Sequence, residues 1–106
     1  SRKAHTRAQV AMFKGKLLEK VGDLAKAESA LNEACNLDPH NVHMKVCLLK
    51  VLIAISKAAG ASRNEQAALS AAHRASEIAK AILVYDHHQK DALYAVEDLY
   101  HSYGIE

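Results

Sequence analysis

The chain has 106 residues, the length of one small domain, and 50% of them are hydrophobic although only 5% are aromatic. A single Pro and 4 Gly leave few places where the chain can break, so long helices with short connections are expected. The net charge of +2 is too small to indicate a nucleic-acid-binding protein, and no run of about 18 apolar residues predicts a membrane span.

The first predicted helix runs from Thr6 to Val21. Its large apolar residues recur at spacings of three and four and form one stripe, which consists of Val10, Phe13, Leu17 and Val21. Gly22 can terminate this helix in a left-handed conformation, and Asp23 can cap the next one.

The second predicted helix runs from Leu24 to Asn36, with Ala27, Leu31 and Ala34 on its inner face. Small alanines at such positions let two helix axes approach closely. Pro39 disfavours helical geometry in the residue before it and ends this helix, after which Asn41 can cap the third.

The third predicted helix, Val42 to Ala59, is apolar around much of its circumference, which is typical of a central helix. Gly60 follows it. Ser62 and Glu65 have the spacing of a capping box, so Ser62 is predicted to start a fourth helix that runs from Arg63 to Tyr85. The fourth helix carries a regular stripe of small residues, Ala68, Ala72, Ala75 and Ala79.

The fifth predicted helix runs from Lys90 to Tyr103 and ends at Gly104. One of its faces combines Leu93, Val96, Tyr100 and Tyr103. This face is either packed inside the domain or available for contact with a second chain, so the sequence leaves a homodimer open.

The stretch from Ala8 to Asn41 resembles a tetratricopeptide repeat, a two-helix hairpin of ~34 residues that stacks into a superhelix. The resemblance is carried by Gly15-x-x-Leu18-x-x-x-Gly22-Asp23-Leu24-x-x-Ala27-x-x-x-Leu31-x-x-Ala34-x-x-Leu37-Asp38-Pro39. Two positions depart from the pattern, because Ala11 and Lys14 stand where the family prefers large apolar residues.

The resemblance implies an all-α fold of antiparallel helix hairpins with about five helices. Residues 8–41 form the first repeat, and residues 42–89 form a second repeat that exceeds the usual length by about 14 residues. An elongated second hairpin around residues 55–69 is the simplest account of the excess. Residues 90–104 resemble the first helix of a third repeat, which is a cap, part of a longer array, or a helix that pairs with another chain.

The family binds partner proteins in a concave groove lined by the first helix of each repeat. The resemblance therefore implies an adaptor or scaffold that binds a peptide or helix of another protein. The groove residues it predicts are Met12, Phe13, Lys16, His43, Val46, Lys50, Tyr94 and Asp98. The alternative is a structural segment that associates through its C-terminal helix.

Chaperone-binding members of the family clamp a C-terminal carboxylate with lysines and asparagines on these faces. Here Met12, Cys47, Asp91 and Ala95 occupy most of those places, and Asp91 has the wrong sign for an anion site. A chaperone tail is therefore not the expected partner.

Catalysis and cofactors are not expected from the sequence. No phosphate-binding loop, G-x-S-x-G or H-E-x-x-H motif is present. His40 and His87 follow aspartates at corresponding turns, so they are interpreted as turn residues and not as zinc ligands. Cys35 and Cys47 are interpreted as buried thiols, which favours an intracellular setting, in the cytoplasm or the nucleus.

Overall fold

The computed structural model describes residues 2–106, and this part of the chain contains five helices and no strand. They are α1 (Arg2–Lys20), α2 (Leu24–Leu37), α3 (Val42–Ala61), α4 (Glu65–Tyr85) and α5 (Lys90–Tyr103). The all-α prediction is confirmed. The Cα radius of gyration is 13.5 Å, close to the ~13 Å of a compact domain of this size. None of the helices in the described part has the length and hydropathy needed to cross a bilayer.

Side-chain caps begin four of the helices. The carboxylate of Asp23 accepts a hydrogen bond from the N–H of Lys26, and the amide oxygen of Asn41 accepts one from Met44. Both caps were predicted from the sequence. Gln89 caps α5 in the same way, by accepting from the N–H of Ala92.

The prediction that Ser62 caps the fourth helix is wrong. Ser62 ends α3, because its N–H donates to the carbonyl oxygen of Ala58. Arg63 has φ 59°, a left-handed conformation that reverses the chain and cannot begin a helix. Asn64 is the residue that caps α4, through the N–H of Ala67.

The core is centred on α3. This helix contacts all four others, whereas α1 packs mainly on α2 and α5 packs mainly on α4. The large fully buried side chains accordingly lie mostly on α3, and they are joined by Leu31 and Ile82 from the helices on either side. The flanking helices contribute small residues to these contacts, with Ala27, Ala34, Ala72, Ala75 and Ala79 fully buried.

The large apolar stripe of α1 lies at the surface, and the buried side of this helix is built from smaller residues. Ala8, Ala11, Met12 and Gly15 are buried against the rest of the domain. Gly15 lies in close contact with α2: a Cβ there would lie 2.6 Å from Leu31 Cγ and 3.4 Å from the carbonyl oxygen of Ala27. The contact between α1 and α2 thus requires glycine at this position.

The C-terminal end of α5 is fixed to the hairpin of α3 and α4 by a buried serine. The Ser56 hydroxyl lies 2.9 Å from the carbonyl oxygen of Ala68, to which it donates, and 2.7 Å from the Tyr103 hydroxyl. These bonds join three helices through one polar side chain that is 2% exposed.

Replacing Gly15 by Ala is expected to lower the free energy of unfolding by about 1–3 kcal/mol, because the added methyl group overlaps the buried Leu31 side chain. Gly60 is the matched control. It lies in helical geometry near the end of α3, and a Cβ there meets nothing within 4 Å. Gly60→Ala should therefore stabilise the protein, by up to ~1 kcal/mol. Urea unfolding followed by circular dichroism measures both changes, and equal stability of Gly15→Ala and the wild type would contradict the close contact.

Candidate groove between helices 1, 3 and 5

A pocket of about 310 Å³ lies between α3 and α5. Its floor is apolar, because Leu49 and Ala95 are buried there. Its rim is charged, with lysines contributed by α3 and aspartates contributed by α5. The complete lining consists of Leu49, Lys50, Ile53, Lys57, Asp91, Tyr94, Ala95 and Asp98.

Two polar contacts join the odd-numbered helices along this side of the molecule. Lys50 Nζ of α3 lies 3.9 Å from Asp91 Oδ1 of α5. Lys16 Nζ of α1 lies 3.5 Å from His43 Nε2 of α3. In each case a lysine reaches the second residue of the next odd-numbered helix, so Lys16 and Lys50 occupy equivalent places in α1 and α3.

Cys47 lies next to His43 but is not activated by it. Its Sγ atom is 3.9 Å from His43 Nε2. Burial raises the pKa of the Cys47 thiol, and the nearby lysines Lys16 and Lys50 only partly oppose that rise. Because the thiolate is the nucleophilic form, this environment favours an unreactive thiol. Burial likewise raises the pKa of Cys35.

Seven of the eight predicted groove residues fall into three groups in the structure. Lys50, Tyr94 and Asp98 line the same pocket, and Lys16 contacts His43 at the junction of α1 with α3. The side chains of Met12 and Val46 are buried in the core and present little surface to a partner.

Phe13, another predicted groove residue, lies away from the pocket between α3 and α5. It is 58% exposed and lines two surface depressions on α1, one with Lys16 and Glu19, the other with Val10 and Leu17. Phe13 therefore stands at the edge between the Lys16 side of α1 and its exposed apolar stripe.

Lys57 also lines the pocket, although it is not among the residues predicted from the sequence. It follows Lys50 by two helical turns and lies on the same side of α3. Continuing the helical period of the groove face into the second half of α3 was the signal that could have identified it.

The face of α5 considered for contact with a second chain is divided by the structure. Val96 and Tyr103 are half-buried and pack against the core. Leu93 and Tyr100 are 45% and 52% exposed, and the neighbouring Tyr94 is 77% exposed. The exposed apolar surface of α5 is thus formed by Leu93, Tyr94 and Tyr100.

The histidines interpreted as turn residues lie in turns. His40 follows α2 and its Nδ1 atom is 3.1 Å from the Tyr85 hydroxyl, and His87 follows α4 and its Nδ1 atom is 2.8 Å from the Leu83 carbonyl oxygen. Within residues 2–106, no three His, Cys, Asp or Glu side chains are grouped so that they could hold a metal ion.

Comparisons with protein-family models, with curated proteins and with solved structures gave no match to this chain.

The thiols of Cys35 and Cys47 are expected to react slowly with iodoacetamide, with a pH midpoint above the ~8.5 of an unperturbed cysteine. Mass spectrometry of Cys35→Ala and Cys47→Ala would follow each thiol separately, with the guanidinium-unfolded chain as the reference. Because the pKa of each thiol is raised in the folded state, the protonated thiols favour the folded chain. This stabilisation is present below ~pH 8.5 and is lost as the pH rises further. A midpoint below that of the unfolded chain would contradict the buried environment.

Proposed function

We propose that the chain is a tetratricopeptide-like module that binds a segment of another protein along the side formed by α1, α3 and α5. The proposal is supported by the sequence pattern of residues 8–41 and by the packing that accompanies it. Gly15 faces Ala27 and Leu31 across a helix hairpin, and the odd-numbered helices contact one another in sequence.

The pocket between α3 and α5 is the observation on which the proposed function rests. An apolar floor with a polar, accessible rim is the usual character of a peptide-binding groove. Leu49 and Ala95 supply the floor, and Tyr94 supplies an exposed aromatic surface. An apolar side chain of the partner would occupy this depression as an anchor.

The arrangement of charge defines the partner further. Lys50 and Lys57 stand on the α3 side of the pocket, and Asp91 and Asp98 stand on the α5 side. A complementary segment has an apolar anchor with acidic residues directed towards α3 and basic residues directed towards α5. This mixture of charge differs from the uniformly basic clamp that a free carboxylate requires.

A displayed library of random peptides, selected on the immobilised chain, tests this proposal. Selected sequences are expected to combine an apolar anchor with both acidic and basic residues. The double variant Lys50→Glu, Asp98→Lys removes the charge difference between the two sides of the pocket while keeping the net charge of the chain. It should weaken the binding of these peptides at least tenfold, since each side then presents one charge that repels the peptide.

The matched control is Glu77→Lys, Lys80→Glu, which makes the same kind of exchange on the exposed side of α4. It should leave peptide binding unchanged. If the groove variant binds the selected peptides as tightly as the control does, or if no sequence is enriched on the wild type, the groove is not the working surface.

A further inference from the structure

Each odd-numbered helix has a leading side, which can face the helix before it, and a trailing side, which can face the helix after it. α5 packs mainly on α4 and buries Ala92, Ala95 and Leu99, so these residues define its leading side. α1 packs mainly on α2, and its buried residues Ala8, Met12 and Gly15 define its trailing side. α3 has a helix on each side and buries both sides.

The leading side of α1 is uncovered in this chain. Because Lys16 and Lys50 occupy equivalent places, Val10, Phe13 and Leu17 of α1 correspond to Met44, Cys47 and Val51 of α3, which are at most 8% exposed. The three α1 residues are 63%, 58% and 65% exposed. Together with Val21 they form an apolar strip. The corresponding strip of α3 is covered by α2, the helix before it.

The trailing side of α5 is uncovered as well. His43 of α3 and Asp91 of α5 also occupy equivalent places, because each is the second residue of its helix and contacts a lysine of the preceding odd-numbered helix. Three residues of α5 therefore align with three of α1: Leu93 with Ala11, Tyr94 with Met12, and Tyr100 with Leu18. In α1 these positions face α2 and are buried or half-buried. In α5 all three are exposed.

The two uncovered sides match in spacing and in charge. On α1, Lys14 lies between Val10 and Leu17 and lines the same surface depression. On α5, the exposed Glu97 lies between Leu93 and Tyr100, which like Val10 and Leu17 are seven residues apart on one side of their helix. In an antiparallel pair of these helices, Val10 meets Tyr100, Leu17 meets Leu93, and Lys14 stands beside Glu97.

Lys14 and Glu97 are therefore the pair of opposite charges at the centre of this contact. Asp91 and Asp98 lie on the groove side of α5, where they line the pocket with α3, and take no part in it.

We propose that the leading side of α1 binds the trailing side of α5 in a second copy of this chain, so that copies associate head to tail. The contact covers the two apolar surfaces that the single chain leaves open, and it uses antiparallel packing like that of the hairpins within the chain. It is separate from the groove proposal, and either can hold without the other.

A head-to-tail contact joins two different surfaces, so it does not close after two copies. Light scattering should therefore give a mass that rises with concentration beyond that of a dimer. Leu17→Glu and Tyr100→Lys, each at an exposed position, should both remain folded by circular dichroism and stay monomeric. An equimolar mixture of these two variants retains one intact surface of each kind, and it should form a single 1:1 complex.

Charge reversal tests the register of the pair. Lys14→Glu and Glu97→Lys should each weaken self-association by roughly tenfold, and the double variant should regain affinity to within about threefold of the wild type. Lys80→Glu on α4 is the control and should have no effect.

Four results would overturn the proposal. They are a wild-type chain that stays monomeric up to its solubility limit, a variant at Leu17 or at Tyr100 that still self-associates alone, a mixture that forms no complex, and a double charge reversal that regains no affinity. If the monomeric chain instead sediments with phosphatidylserine vesicles and Leu17→Glu abolishes this, the strip of α1 binds an anionic lipid surface.

Discussion

The close approach of α1 to α2 at Gly15 is the constraint on which the rest of the structure depends. With no side chain at Gly15, Leu31 packs directly on the backbone of α1, and Ala27 lies beside it. The first hairpin is thereby joined through small residues, and α4 presents a stripe of buried alanines to its neighbours in a similar way. Such contacts bury little area per residue, so the large apolar side chains of α3 supply most of the hydrophobic stabilisation.

Small contact residues also explain why large apolar side chains remain at the surface. In α1 the buried side is filled by Ala8, Ala11 and Gly15, and Val10, Phe13 and Leu17 are left outside. Scattered exposed hydrophobic residues need no special explanation, but a contiguous strip along one side of a helix is typical of an interaction surface. The same physical argument applies to Leu93, Tyr94 and Tyr100 of α5.

The helices and most of their boundaries were predictable because their signals are local. Asp23 and Asn41 cap helices through bonds to residues three positions away, and Gly104 ends α5 with a φ of 69°. Ser62 failed as a cap because Asn64, two residues later, offers an equivalent side chain. The sequence pattern could not decide which of the two residues caps α4. That depends on where α3 must end so that α4 can pack against it.

The site was harder to predict than the fold, because helical periodicity gives the sides of a helix but not their neighbours. The resemblance placed Lys50, Tyr94 and Asp98 on one surface, and they do line one pocket. It also placed Met12 and Val46 there, although the approach of the neighbouring helices buries both. The stripe of α1 was recognisable from its spacing alone, but its exposure depends on which side of α1 meets α2, and that is decided by Gly15 and Leu31.

Tyr94 connects the two proposed surfaces and shows why they have to be tested at other residues. It lines the pocket between α3 and α5, and it also belongs to the trailing side of α5. Truncating Tyr94 would therefore alter both surfaces and could not distinguish peptide binding from self-association. Lys50 and Asp98 belong to the pocket, whereas Tyr100 and Leu17 lie outside it, so substitutions at these residues separate the two activities. Where both surfaces are occupied at once, both contacts involve Tyr94, and by linkage any coupling between them acts equally in both directions.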